Sequence, residues 1–185
     1  YTRPGDGKGQ EKQITQGGTA FRYSPIWSPD SKRIAFSDKT GSLYVVAIES
    51  GEIKFVDKDE WEDMESYAWS PDSRWLAYSK RGANRHGAIA IYDVNDGTVR
   101  QGTSDFYDDS GPVFDAGGKY LFFRSNRAFS PVYSDMDSTW VYPNSTRIYA
   151  VTLRKDLESL LAPRSDEEDG KKDKDKKDPK DVKDK

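Results

Sequence analysis

His86 is the only histidine of the 185-residue chain, and it stands in "RGANRHGA" between Arg85 and Gly87. A general base or a metal ligand needs an orienting carboxylate or further ligands at a recognisable spacing. This stretch supplies none, so an exposed turn residue is the expected role. Ser28 and Ser70 each follow a tryptophan in the pentapeptide "WSPDS". One histidine cannot activate both, and the motif has a plain turn explanation: Pro presets φ, while Asp and Ser side chains bond back to turn amides. "GDGKG", Gly5 to Gly9, lacks the GK[ST] order and the following helix of a phosphate loop, and reads as a hairpin turn. "SDFYDDS", Ser104 to Ser110, lacks the alternating carboxylates and glycine of a calcium loop and is expected to be a solvated loop. "NST", Asn144 to Thr146, fits a glycosylation acceptor, which matters only in a secreted eukaryotic protein. No catalytic residue, metal site or cofactor is expected.

Arg124 and Arg127 are the candidates that remain. They bracket the start of a long aromatic stretch, and two guanidinium groups at an opening can hold a peptide carboxylate. The competing role is ordinary charge pairing with the nearby Asp135 and Asp137.

The elements that would position them come from a repeat. "WSPDSKRIAFS", Trp27 to Ser37, returns 42 residues later as "WSPDSRWLAYS", Trp69 to Ser79, and a degenerate third copy, "FDAGGKYLFFRS", begins at Phe114, another 45 residues on. A period of this length containing several short strands marks a β-propeller, whose blades bury their faces by stacking. The first copy parses into "YSPIWS", "KRIAFSD", "GSLYVVAIE" and "EIKFVD"; the second into "SYAWS", "RWLAYSK", "AIAIYDV" and "TVRQGT"; the third into "GPVFD", "KYLFFRS" and, after an interruption, "RIYAVTL". Trp27, Trp69 and Phe114 recur at one point of the repeat and are expected to pack between blades rather than to stack on a ligand.

The expected architecture is therefore all-β, a partial ring of about three four-stranded blades. Residues 1–18 are the end of a preceding blade, with "KQITQGG" as its outer strand, 19–60 blade 1, 61–104 blade 2, and 105–164 blade 3 with a long insertion at 126–146. Phe129, Tyr133, Trp140 and Tyr142 make that insertion too aromatic for a solvated linker. Residues 165–185 hold nine of the 32 acidic residues and eight of the 29 basic ones with a single Val, the composition of a disordered charged linker. Three blades do not close a ring, and the chain opens on "YTRPGDGKGQ" without an initiator Met, so a fragment of a longer protein is expected.

The remaining 23 acids and 21 bases argue against nucleic acid or an anionic membrane as a partner. No run of 18 apolar residues is present, which excludes a membrane-spanning helix. With no cysteine, disulfides and thiolate chemistry are excluded, and the chain is compatible with cytosol and periplasm alike; the cytoplasm is the expected compartment, the periplasm the alternative.

The repeat unit resembles the blades of TolB-type propellers, of prolyl oligopeptidase relatives and of tricorn-type proteases. The run from Gly117 to Asp169, with "SNRAFSPVY" and "YPNSTRIYAVTLRKD", resembles the last blade of the second propeller of bacterial tricorn protease homologues, followed by their charged linker. That resemblance implies propellers ahead of a PDZ module and a serine peptidase core, in a homo-oligomer that cleaves short peptides reaching it through propeller channels. The family's nucleophile and histidine lie downstream of the linker, so no position here matches them. The implied role is non-catalytic: gating or guiding peptides toward a remote active site. A TolB-like propeller acting as a protein-binding scaffold, and an α/β-hydrolase-type oligopeptidase with a propeller cap, are the alternatives.

Overall fold

The computed structural model describes residues 1–18, 20–62, 64, 66–134, 136 and 138–162. The expected linker at 165–185 lies outside the described residues, as do Asp135 and Asp137.

Strands β1 (Arg22–Trp27), β2 (Arg33–Asp38), β3 (Ser42–Ala47) and β4 (Ile53–Lys58) form one antiparallel sheet in chain order. Strands β5 (Tyr67–Trp69), β6 (Trp75–Arg81), β7 (Gly87–Asp93) and β8 (Val99–Gln101) form a second in the same order. The third sheet contains β9 (Asp109–Phe114), β10 (Tyr120–Ser125) and, past the insertion, β13 (Arg147–Thr152). Inside the insertion β11 (Val132–Tyr133) and β12 (Trp140–Val141) make a small hairpin. The register repeats with the sequence: Trp27 faces Ile34, Trp69 faces Leu76 and Phe114 faces Leu121 across their hairpins.

Strand alternation puts apolar residues on both faces of a blade, and neither face is buried until a neighbour covers it. The cores accordingly lie between sheets. Leu43, Val45 and Val56 of the first sheet pack with Met64, Trp69, Leu76, Tyr78 and Tyr92. On the other face of the second sheet Ala77 and Ile89 pack with Leu121 and Phe123, flanked by Phe114, Tyr149 and Val151.

Three expectations are modified. The third sheet has three strands among the described residues, not four. After Thr152 the chain turns, Arg154 pairing with Asp156, and the Glu158 carbonyl accepts a hydrogen bond from the Tyr120 hydroxyl at 3.1 Å, which holds the segment beside Tyr120 instead of pairing it with β13. Residues 12–18 are not a strand; Ile14 is instead buried against Phe36 and Val46 of the first sheet. Trp27 is 49% exposed, whereas Trp69 is 8% exposed and donates from Nε1 to the Ile26 carbonyl of the sheet before it. Among the described residues nothing covers Trp27 as Ile26 covers Trp69. The "GDGKG" turn behaves as expected, with Thr2 and Lys12 bridged across it.

Candidate functional site

The loops joining β6 to β7, β8 to β9 and β10 to β13 meet at one end of the stacked sheets. Asn84 donates to the Asp105 carbonyl at 2.6 Å, the Gly87 amide to Asp108 Oδ1 at 2.9 Å, and the Asp108 amide to Asn126 Oδ1 at 3.0 Å. His86 is exposed, its Nδ1 lying 3.2 Å from the Phe106 carbonyl, so that nitrogen carries the proton in this contact. Among the described residues no hydroxyl hydrogen-bonds to its ring. Ser28 and Ser70 lie in tight turns instead: Ser28 Oγ donates to Asp30 Oδ1 at 2.6 Å and accepts from the Arg33 amide, and Ser70 Oγ bonds Asp72 and the Trp75 amide likewise. No group of three or more His, Asp or Glu among the described residues is placed to hold a metal ion.

Arg127 sits at the centre of this end. Its Nη2 donates to both carboxylate oxygens of Asp109, at 3.0 and 2.7 Å, and its Nε to Ser125 Oγ at 2.7 Å. The guanidinium lies 4.9 Å from the ring centres of Tyr107 and Tyr149 and 5.4 Å from that of Phe123. Asp109 has no solvent exposure, and its backbone carbonyl accepts from Ser79 Oγ of the second sheet. The "SDFYDDS" stretch is thus more than the solvated connection expected: it ends in a buried carboxylate whose partner is Arg127. Burying a charge is tolerable only when it is paired and hydrogen-bonded, and Arg127 meets both needs. Arg124, by contrast, is exposed, and no described carboxylate forms an ion pair with it.

Beyond Arg127 the insertion folds on itself. Tyr133 and Trp140 meet edge to face at 5.5 Å, and Phe129 and Tyr142 pair at 5.6 Å, with all four rings at least half exposed. The same end of the first two sheets carries Trp61, over which the Arg85 guanidinium lies at 4.4 Å.

Another acid that crosses between sheets, the partly buried Asp57, is not marked by the repeat. It accepts from the Tyr78 hydroxyl at 2.8 Å and from Lys80 Nζ at 2.6 Å, bridging the first two sheets. Burial, and then the hydrogen bond to Asp57, pushes the Tyr78 phenol far above its ordinary value, so it acts as a neutral donor. The alternation that betrays a strand says nothing about which acid a neighbouring blade will cover.

Residues 4–185 match the family model described as the tricorn protease second β-propeller domain. The chain is 33% identical over 137 residues to tricorn protease homolog 1 of Streptomyces coelicolor, covering 74% of this chain and 13% of that protein. It is 26% identical over 145 residues to a tricorn protease homolog of Saccharolobus solfataricus, covering 78% and 13%. Among solved structures it superposes on the crystal structure of the tricorn protease with a TM-score of 0.66 at 20% identity, over 71% of this chain and 14% of that one. The TolB structure from Agrobacterium tumefaciens gives 0.52 at 19% identity, over 76% of this chain and 48% of that one, a likeness of fold alone.

Proposed function

Because the chain belongs to the tricorn protease second β-propeller family, we propose that it is the non-catalytic access segment of a peptide-cleaving enzyme, guiding peptides toward a serine peptidase core carried elsewhere in the polypeptide. The family match across residues 4–185 carries this reading. The chain spans only 13% of the length of the Streptomyces coelicolor relative, so the PDZ module, the peptidase core, the homo-oligomer and the cytoplasmic location are proposed for the whole protein and not for this segment.

Within the segment the insertion at 126–146 is the element suited to meet a peptide, since loops on a rigid scaffold carry recognition and this one exposes four aromatic rings at one end of the blades. Arg127 anchors it through Asp109, and Arg124 is the guanidinium left to attract a peptide carboxylate. The test replaces residues 129–142 by a short Gly-Ser turn in the full-length enzyme. KM should change several-fold for longer peptides while kcat on a small chromogenic amide stays. Identical kinetics at every peptide length would overturn the access role.

A further inference from the structure

The three WSPD-type turns share one backbone. Residues Ser31, Ser73 and Gly118 occupy the same position with φ of 59°, 60° and 62°. Each donates its amide to the residue three before it, the carbonyls of Ser28, Ser70 and Asp115, at 2.9, 2.9 and 3.0 Å. Their side chains differ in what they do to the preceding blade. Ser73 Oγ accepts the Asp30 amide of the previous turn at 2.9 Å and so closes the junction between the first two sheets. At the next junction the equivalent donor is the Asp72 amide and the equivalent acceptor would be a side chain at Gly118, which has none. No described atom accepts from the Asp72 amide.

Where that contact is lost, a cleft of about 490 Å³ opens between the second and third sheets, within the range of small-ligand sites. Trp75, Ile91, Phe114 and Leu153 form its apolar walls, and Arg100 and Arg154 line it. Both arginines are more than half exposed and paired with Asp96 and Asp156, surface ion pairs weak enough for another carboxylate to displace. The guanidinium groups of Arg74 and Arg100 lie 4.5 and 5.5 Å from the Trp75 ring, so its faces are already electropositive surroundings. Asp72, the one acid in the lining, has its Oδ1 turned to the Ser70 hydroxyl and the Arg74 amide.

We propose that this inter-blade cleft binds an apolar group bearing a carboxylate, the carboxylate received by Arg154, Arg100 and the Asp72 amide and the apolar part laid against Trp75, Phe114 and Leu153. A peptide's C-terminal residue and a free apolar acid share that chemistry; only the choice of a peptide as one source rests on the access reading above. The third turn's departure from "WSPDS" to "FDAGG" is then what makes the site: glycine at 118 keeps the turn and removes its closure.

The experiment titrates the full-length protein calorimetrically with 4-phenylbutyrate and with 4-phenylbutyramide, then with Ala-Ala-Phe as acid and as amide. The acids should bind at least about tenfold more tightly than their amides, the effect of losing charge-assisted contacts. Gly118→Ser restores the closing side chain, and it fits: an added Cβ meets Pro71 Cδ at 3.8 Å, and Ser73 already adopts the same φ. It should weaken phenylbutyrate about tenfold or more, as should the exposed Arg154→Gln, which keeps the proposal testable if the first variant misfolds. Binding of phenylbutyrate without the tripeptide assigns the site to a free acid; binding of both supports a peptide terminus. Equal binding of acid and amide, no binding up to about 10 mM, or unchanged affinity in a folded Gly118→Ser protein would overturn the site. Because 4-phenylbutyrate has no peptide bond, its binding is read without hydrolysis and independently of whether the access role holds.

Discussion

The two inter-blade junctions are built from the same repeat and are held differently. Between the first and second sheets a serine side chain closes one end, through Ser73 Oγ and the Asp30 amide, and the Tyr78–Asp57–Lys80 cluster crosses the interface. Between the second and third sheets the serine is Gly118 and the position of Tyr78 is Phe123, and the buried charge is Asp109, held by Arg127 from the insertion. A repeat therefore conserves the backbone of its turns and the apolar positions of its strands, while the polar contacts that lock neighbours together are free to differ, and a cleft appears where one of them is dropped.

The largest expected effect tests packing. Trp69→Ala should destabilise the propeller by about 3–5 kcal/mol, the cost of deleting a large buried aromatic, whereas Trp27→Ala, half exposed, should cost about 1–2 kcal/mol. Equal losses in denaturant melts of the two variants would show that Trp27 is covered as Trp69 is, by residues beyond those described. Next, Arg127→Ala strands Asp109 as a buried unpaired carboxylate and should cost about 3 kcal/mol or more, while Arg124→Ala should stay within about 0.5 kcal/mol. If Arg127→Ala melts like the parent protein, the second junction does not depend on that pair.

Ser73→Gly converts the closed junction into a copy of the open one, and loss of one hydrogen bond predicts about 1 kcal/mol. A larger loss would mean that the serine does more than cap Asp30. The smallest effect is in acid. The amides of Tyr120, Lys119 and Gly117 hold Asp115 below the ordinary carboxylate value of 3.8, and the Ser28 hydroxyl, with the Lys32 amide and Arg33, does the same for Asp30. A carboxylate whose folded value lies below its unfolded one adds stability that is complete above the unfolded value and lost as pH falls through the folded value. Melting temperatures should thus be level above about pH 5 and fall below about pH 4, and Asp115→Asn should flatten part of that fall. An Asp115→Asn protein with an unchanged acid profile would remove the turn from that account.

Much of the fold was legible because its signals are local. The spacing of Trp27, Trp69 and Phe114 locates three hairpins whose first two residue pairs coincide, before bulges shift the pairing in the first and third. Ser28 and Ser70 read as turn residues because Pro and Asp beside them leave little else to do, and their hydroxyls do bond within the turn. The site was less legible. Arg127 is visible in the sequence as a guanidinium near an aromatic insertion, with Asp135 and Asp137 of the same loop as its nearest acids, yet Asp109, eighteen residues earlier, holds it. That the third sheet has three strands among the described residues has a similar cause: whether a segment pairs or docks on a side chain such as Tyr120 depends on what lies across the sheet.

Read alone, the sequence determined the class of fold, the places of the three repeated hairpins and the turn chemistry, since each follows from periodicity and residue type within a few positions. Tertiary structure alone decided which acids are buried, which tryptophan is covered, which arginine is committed, and that glycine in place of serine at position 118 opens a cleft. Those outcomes depend on atoms brought together from different blades, and a chain read one residue after another carries no record of the distance between them.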